Sequence, residues 1–125
     1  MSKKIMIVDD SRVVYAEMVK MLDGSEMEVV GFCRSGEEAL AKYEKLQPDL
    51  VTLDIVMPGM DGLETCELLK ERWPDAHIFM VSSMAYDDMI NRAAALGAKG
   101  FLFKPFTRES LLEGLRGAFK AIGMD

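Results

Sequence analysis

Five short apolar runs alternate along the sequence with five longer stretches of helical spacing, and this alternation restricts the fold more than any other feature. The apolar runs span residues 4–8, 28–33, 49–54, 77–82 and 100–103. Each has the length of a strand, and its apolar residues are consecutive, which is typical of strands covered on both faces. The pattern therefore predicts five strand–helix units.

The stretches between the runs carry apolar residues three and four positions apart, opposite a polar face, as amphipathic helices do. These residues are Val14, Met18 and Met21; Leu40, Tyr43 and Leu46; Leu63, Cys66, Leu69 and Trp73; Met89, Ala93 and Leu96; Leu111, Leu115, Phe119 and Ile122. Helix boundaries are also signalled. Ser35 and Glu38 have the spacing of a capping box, Thr107 can cap the last helix, and Gly24 and Gly97 follow helix ends.

Strands and helices in alternation form a parallel sheet with helices on both faces, joined by right-handed crossovers. Five strands suit the flavodoxin-like doubly wound order 2-1-3-4-5, an α/β fold. In this order ligands bind outside the carboxyl ends of the strands, where the order reverses between the first and third strands. We expect a single domain over residues 1–125 with its site at that edge.

Charged and hydroxyl side chains stand at the predicted carboxyl ends of the strands. Asp9 and Asp10 follow the first strand, Asp54 ends the third, Ser82 ends the fourth, and Lys104 follows the fifth. Two carboxylates about 4 Å apart repel by roughly 4 kcal/mol at an effective dielectric near 20. Lys104 offsets one of three negative charges, and Mg²⁺, which prefers oxygen ligands, would balance the other two. Such a set of groups suits phosphoryl transfer.

Composition excludes some partners. The net charge of -6 and the isoelectric point near 4.8 argue against nucleic-acid or anionic-membrane binding, which needs basic surface. No apolar run approaches the roughly 18 residues of a membrane span, so we expect a cytoplasmic protein. Cys33 and Cys66 lack CxxC spacing and are predicted to be reduced, buried thiols.

The second strand ends in Cys33 and Arg34, at the edge of the sheet and apart from the expected site.

Four motifs carry a resemblance to a known family. IVDDS at 7–11, LDIVMPGMDG at 53–62, VSSMA at 81–85 and GFLFKPF at 100–106 are similar to the signatures of bacterial response-regulator receiver domains. They occur in the family's order, each at the carboxyl end of a predicted strand, and the resemblance covers essentially the whole chain. It is strongest to the single-domain members that act in chemotaxis.

The resemblance implies a phosphorylated aspartate beside a metal. Asp54 would accept a phosphoryl group from a histidine kinase and become an acyl phosphate. Mg²⁺ would be held directly by Asp10 and Asp54, by Asp9 directly or through water, and by the backbone carbonyl of Val56. A simpler interpretation is that Asp10 or Ser11 only caps the first helix.

Three further residues take roles from the resemblance. Ser82 would hydrogen-bond a phosphoryl oxygen, with Ser83 as the alternative, and Lys104 would pair with another oxygen. The proline after Lys104 fixes a rigid bond, possible in cis, that would aim the ammonium inward. Phe101 matches the aromatic residue that swings inward on activation; the alternative is a permanently buried core phenylalanine.

The implied function is a signalling switch and not an enzyme: the protein would catalyse only its own phosphorylation and slow dephosphorylation. Its partners would be a histidine kinase and a downstream output protein, for which the flagellar motor switch is a candidate, and it would act as a monomer. A receiver domain taken from a transcription factor, or a phosphorelay intermediate, is the alternative.

Two other classes share features with this pattern. A flavodoxin-type redox carrier needs a phosphate-binding loop rich in glycine and hydroxyl residues after the first strand, where this chain has DDSRVV. A haloacid-dehalogenase phosphatase carries a second aspartate two residues after its nucleophile, and here that residue is Val56. Both absences favour the receiver domain.

Overall fold

The fold is described by a computed structural model that covers residues 2–84 and 86–124. Its strands are β1 (Lys3–Val8), β2 (Met27–Cys33), β3 (Leu50–Asp54), β4 (Ile78–Ser82) and β5 (Phe101–Phe103). Its helices are α1 (Arg12–Leu22), α2 (Gly36–Leu46), α3 (Gly62–Arg72), α4 (Asp87–Ala95) and α5 (Arg108–Ala121). Ala85, the last residue of the VSSMA motif, and the two end residues of the predicted domain lie outside the described residues.

All strand pairs are parallel, and the sheet order is β2-β1-β3-β4-β5. The predicted doubly wound α/β fold is confirmed. The predicted strands are each within one residue of the observed ones at both ends. Because every strand is parallel, the carboxyl ends of all five lie along one edge of the sheet.

Two apolar cores cover the two faces of the sheet. Val51 and Leu53 face the core shared with α2, α3 and α4, whereas Leu50 faces the core shared with α1 and α5. Successive side chains of a strand point to opposite faces. A central strand between two helical layers therefore needs apolar residues at consecutive positions, which explains the unalternating runs.

The edge strands depart from the predicted burial on both faces. β1 from Ile5 onward, β3 and β4 are buried throughout, but β2 and β5 are largely half-exposed. An edge strand has a neighbour on one side only, and the helices cover it incompletely. The expectation of full burial is therefore wrong for these two strands.

β2 also contains a bulge that the sequence did not indicate. Ile5 pairs with Val29 and Met6 with Gly31, so Val30 is an extra residue on the edge strand. The extra residue reverses the alternation of side chains that follow it. As a result, Phe32 packs on the α1 side of the sheet.

Helix caps follow the predicted signals in part. Ser35 Oγ accepts a hydrogen bond from the Glu38 N–H at 3.1 Å, while the Glu38 carboxylate accepts one from Lys42 at 2.9 Å. Thr107 caps α5 and forms a reciprocal capping box with Ser110. Both predicted cap residues are confirmed, and the complete capping box is found in α5.

Cys33 and Cys66 are buried free thiols, as predicted. Burial raises the pKa of each thiol to about 11, so both stay protonated at neutral pH.

Within residues 2–84 and 86–124, no helix has the length and apolar character to cross a membrane.

Candidate functional site

Three carboxylates meet at the carboxyl edge of the sheet. Asp9, Asp10 and Asp54 each place a carboxylate oxygen within 4.8 Å of the other two, and we call these residues the acid cluster. Asp9 and Asp54 are buried and Asp10 is half-buried. The short distances follow from topology, because β1 and β3 are neighbours in the sheet and end at the same level.

Asp9 is held by hydrogen bonds to both of its carboxylate oxygens. Oδ2 accepts from Lys104 Nζ at 2.7 Å, and Oδ1 accepts from the Ser11 N–H at 2.9 Å. The cap of α1 is Ser11, whose Oγ accepts from the Val14 N–H at 3.2 Å. Of the two residues considered as the cap of the first helix, Ser11 takes that role and Asp10 does not.

Lys104 points into the acid cluster. Its Nζ lies 2.7 Å from Asp9 Oδ2 and 3.5 Å from Asp54 Oδ2, and its side chain is only 18% exposed. The Lys104–Pro105 peptide bond is cis. The Lys104 N–H donates to the Ser82 carbonyl at 2.9 Å, which joins the ends of β4 and β5. An inward ammonium is what the sequence predicted at this position.

More negative charge surrounds Asp54 than the Lys104 ammonium can offset. Burial, and after it the nearby Asp9 carboxylate, raise the pKa of Asp54 to about 6, against the opposing effect of Lys104. Three carboxylates and one ammonium leave an excess of negative charge in a buried place. A hard divalent cation with oxygen ligands fits this donor set, and Mg²⁺ meets that description.

Ser82 ends β4 beside β3 and is fully buried. Its Oγ accepts a hydrogen bond from the Met84 N–H at 3.1 Å. Ser83, the alternative hydroxyl, is exposed and lines a groove that also contains Lys104. The structure thus separates the two serines into one buried and one exposed hydroxyl.

The loop after Asp54 folds back over the end of β3. The Gly62 N–H donates to the Ile55 carbonyl at 2.8 Å, and Asp61 Oδ1 caps α3 by accepting from the Glu64 N–H at 2.9 Å. A Cβ at position 62 would collide with the backbone carbonyl of Asp54. Position 62 therefore needs glycine, because the loop backbone approaches Asp54 too closely for a side chain.

Phe101 is half-buried, and its ring centroid lies 5.1 Å from that of Phe103. It also lines a cavity of about 140 Å³ beside Ile90 and Ala93 of α4. Val56 and Met84, the residues two places after Asp54 and two places after Ser82, are 44% and 41% exposed.

Comparison with known proteins identifies the family. The model of the response regulator receiver domain matches residues 5–116. The chain belongs to this family. Receiver domains are signalling switches of two-component systems, and they bind Mg²⁺ in an acidic pocket of the kind formed here by the acid cluster.

Receiver domains named CheY are among its relatives. The chemotaxis protein CheY of Listeria monocytogenes is 40% identical over 117 residues, which cover 94% of this chain and 98% of that protein. CheY of Thermotoga maritima is 35% identical over 120 residues, which cover 96% of this chain and 100% of that protein. The CheY-like resemblance predicted from the motifs is confirmed.

Solved receiver domains have the same fold. The CheY of Borrelia burgdorferi, in a complex with CheX, BeF₃ and Mg²⁺, superimposes with a TM-score of 0.86 at 28% identity, over 95% of this chain and 88% of that one. The response regulator domain of Thermotoga maritima CheB gives a TM-score of 0.87 at 30% identity, over 96% and 98% of the two chains.

Arg34 was not predicted to lie near the site. Its position after an edge strand suggested a place apart from the site, yet Arg34 and Asp10 line one groove. The strand order contains the signal that was missed, because β2 lies beside β1 and the two strands end side by side. A residue that follows β2 is therefore close to the residues that follow β1.

Proposed function

We propose that the protein is a phosphorylation-dependent switch in which Asp54 accepts a phosphoryl group from a histidine kinase. The observation that carries this proposal is the convergence of three carboxylates and Lys104 at the carboxyl edge of the sheet. Membership of the receiver family supports the choice of Asp54 as the acceptor, because it ends β3 in the motif LDIVMPGMDG.

Mg²⁺ would be held by Asp10 and Asp54, by Asp9 directly or through water, and by the Val56 carbonyl. When bound, it supplies positive charge against the phosphoryl oxygens of the donor. An Asp54 carboxylate oxygen attacks phosphorus, and the bond from phosphorus to the donor breaks with its electron pair leaving on the donor. The product is an acyl phosphate on Asp54.

Lys104 and Ser82 would bind the transferred group. The Lys104 ammonium, now shared between Asp9 and Asp54, can pair with one phosphoryl oxygen. The buried Ser82 hydroxyl, now an acceptor for the Met84 N–H, can donate its proton to another oxygen. These two contacts would link the phosphoryl group to the ends of β4 and β5.

The output of the switch would be protein binding. The Borrelia burgdorferi relative in complex with CheX supports a protein target, and CheY relatives support chemotaxis, with the flagellar motor switch as the candidate. Identities of 40% and 35% to CheY proteins favour this over a receiver of a transcription factor or a phosphorelay intermediate. By analogy with single-domain regulators, the protein would be a monomer in the cytoplasm. It would catalyse only its own phosphorylation and dephosphorylation.

The proposal is tested by chemical phosphorylation. A small acyl phosphate with Mg²⁺ should add one phosphoryl group, located at Asp54 by mass spectrometry, and Asp54→Asn should take none. Asp75→Asn, at an exposed position, is the control that should behave as wild type. Full modification of Asp54→Asn, or equal modification in excess chelator, would contradict the proposed mechanism.

Lys104→Ala should separate metal binding from signalling. Lys104 is an ion-pair partner and not an oxygen ligand, so its loss should leave Mg²⁺ binding intact or tighter, because a competing cation is removed. The phosphoryl group on Asp54 would then have no ion pair with the residue that follows β5. The amount of partner captured by the beryllofluoride-treated variant should therefore fall to the amount captured by untreated protein. Lys99→Ala, at the other end of β5, is the matched control; normal capture by Lys104→Ala would disprove this role.

Phe101 should change position on activation. When the Ser82 hydroxyl is drawn toward the phosphoryl group, the space it leaves can be filled by the Phe101 ring, and the adjoining cavity of about 140 Å³ gives α4 room to shift. Crystal structures with and without beryllofluoride would measure this. The same Phe101 rotamer and the same α4 position in both would favour the alternative, a static core phenylalanine.

A further inference from the structure

Two exposed arginines stand beside the acid cluster, at the start of α1 and directly after β2. These are Arg12 and Arg34. In the part of the chain that the structure describes, neither has a carboxylate partner within 4.0 Å. These two positive charges stand beside the acid cluster in a chain of net charge -6.

Two open grooves meet at Arg34. One, of about 430 Å³, is lined by Asp10, Arg34, Ser35, Glu38 and Pro58. The other, of about 350 Å³, is lined by Arg12, Tyr15, Phe32, Arg34 and Glu38. In the second groove the Tyr15 and Phe32 rings stack with their centroids 4.1 Å apart. A path lined by both arginines therefore leads to Asp10 and the acid cluster.

The net charge along this path is positive. Glu38 lines both grooves, but its carboxylate is engaged by Lys42 at 2.9 Å, and the hydrogen bond from Lys42 lowers the pKa of Glu38. The charges of that pair cancel, and Asp10 offsets one of the two arginines, so the lining keeps one positive charge. On the other side of the site, the Lys104 ammonium is already occupied by Asp9 and Asp54.

We propose that Arg34, together with Arg12, recruits small anionic phosphodonors such as acyl phosphates to Asp54. This inference rests on the proposed function, in which Asp54 is the acceptor. A dianionic donor is repelled by an acidic protein and by the acid cluster, and fixed cations at the mouth of the site raise its local concentration. The arginines act on donor binding; the reacting atoms are contacted by Asp54, Ser82 and Lys104.

The test compares two double variants of equal net charge. Arg12→Gln with Arg34→Gln removes the proposed path, and Arg72→Gln with Lys99→Gln removes two exposed cations beyond both grooves. The rate of Asp54 phosphorylation is measured against acetyl phosphate concentration with saturating Mg²⁺. With no salt added beyond Mg²⁺ and the donor, we expect the first variant to be about fivefold slower than the control at low donor concentration, with the same rate at saturation.

Three further arms identify the cause as electrostatic attraction. The difference should shrink at about 0.5 M salt, where charges are screened beyond a few ångströms. It should be smaller with phosphoramidate, which carries less negative charge than acetyl phosphate. Arg12→Lys with Arg34→Lys, which keeps both charges, should restore the rate. Thermal unfolding verifies that all variants are folded, as expected for exposed side chains.

The outcomes separate this inference from the proposed function. A normal rate for wild type with no difference between the two double variants would overturn the arginine path and leave Asp54 as the acceptor. A difference that persists unchanged in high salt would also overturn it. Absence of phosphorylation at Asp54 in wild type would overturn the proposed function and this inference together.

Discussion

In metal-free buffer at neutral pH, Asp54→Asn should raise the free energy of unfolding by up to about 3 kcal/mol. The folded protein raises the pKa of Asp54 from 3.8 to about 6, chiefly through burial and then through repulsion by Asp9. Each pKa unit corresponds to about 1.4 kcal/mol. Asparagine has a similar shape without the charge, so the variant avoids this cost, and Lys104 keeps its 2.7 Å contact with Asp9.

The gain should depend on pH in a defined direction. Because the pKa of Asp54 is higher in the folded state, the folded state binds more protons between pH 3.8 and about 6. The contribution of Asp54 to stability therefore falls as the pH rises through that window, and its full cost is present above pH 6. The difference between Asp54→Asn and wild type should be largest above pH 7 and should vanish toward pH 4.

Denaturant unfolding in chelator at several pH values measures this difference, with Glu44→Gln as a control that removes an exposed carboxylate. Added Mg²⁺ should stabilise wild type more than Asp54→Asn, since a ligand that binds only the folded state stabilises it by mass action. An unchanged or lower stability for Asp54→Asn at pH 8 would show that the buried charge of Asp54 is not destabilising.

Much of the fold was predictable because its signals are local. Buried central strands need consecutive apolar residues, and Ser35 and Thr107 mark helix starts by the hydrogen bonds they accept. The acid cluster was also predictable, since parallel strands bring their carboxyl ends to one edge and Asp9 and Asp54 stand at two of those ends.

The remaining features depend on packing that no single segment specifies. The bulge at Val30 arises from the pairing of β2 with β1, and a Cβ at Gly31 would collide with the side chain of Leu46. The bulge turns Phe32 toward Tyr15, and the two stacked rings line the same groove as Arg34. The strand order places Arg34 near Asp10, but the sequence of a single strand shows neither its register nor a bulge, so the stacked rings beside Arg34 could not be predicted.

Hydrolysis of the acyl phosphate should be accelerated by Val56→Asn with Met84→Glu. Water must approach phosphorus opposite Asp54, and the resemblance to receiver domains implies that Val56 and Met84, two places after Asp54 and two places after Ser82, flank that approach. Val56 offers no hydrogen bond from its side chain, and the Met84 sulfur is only a weak acceptor. Both residues are exposed, and we expect their apolar side chains to restrict the entry of water.

Polar side chains at these two positions can orient the attacking water. One such hydrogen bond is worth about 1 kcal/mol, so the double variant should lose its phosphoryl group at least about fivefold faster than wild type in Mg²⁺. The two substitutions should be non-additive, because both residues border one water path. Val19→Asn, at an exposed apolar position on α1, is the control for added polarity. If Val56 and Met84 only cover the loop, the decay rate will stay unchanged, and that result would refute their role without affecting Asp54.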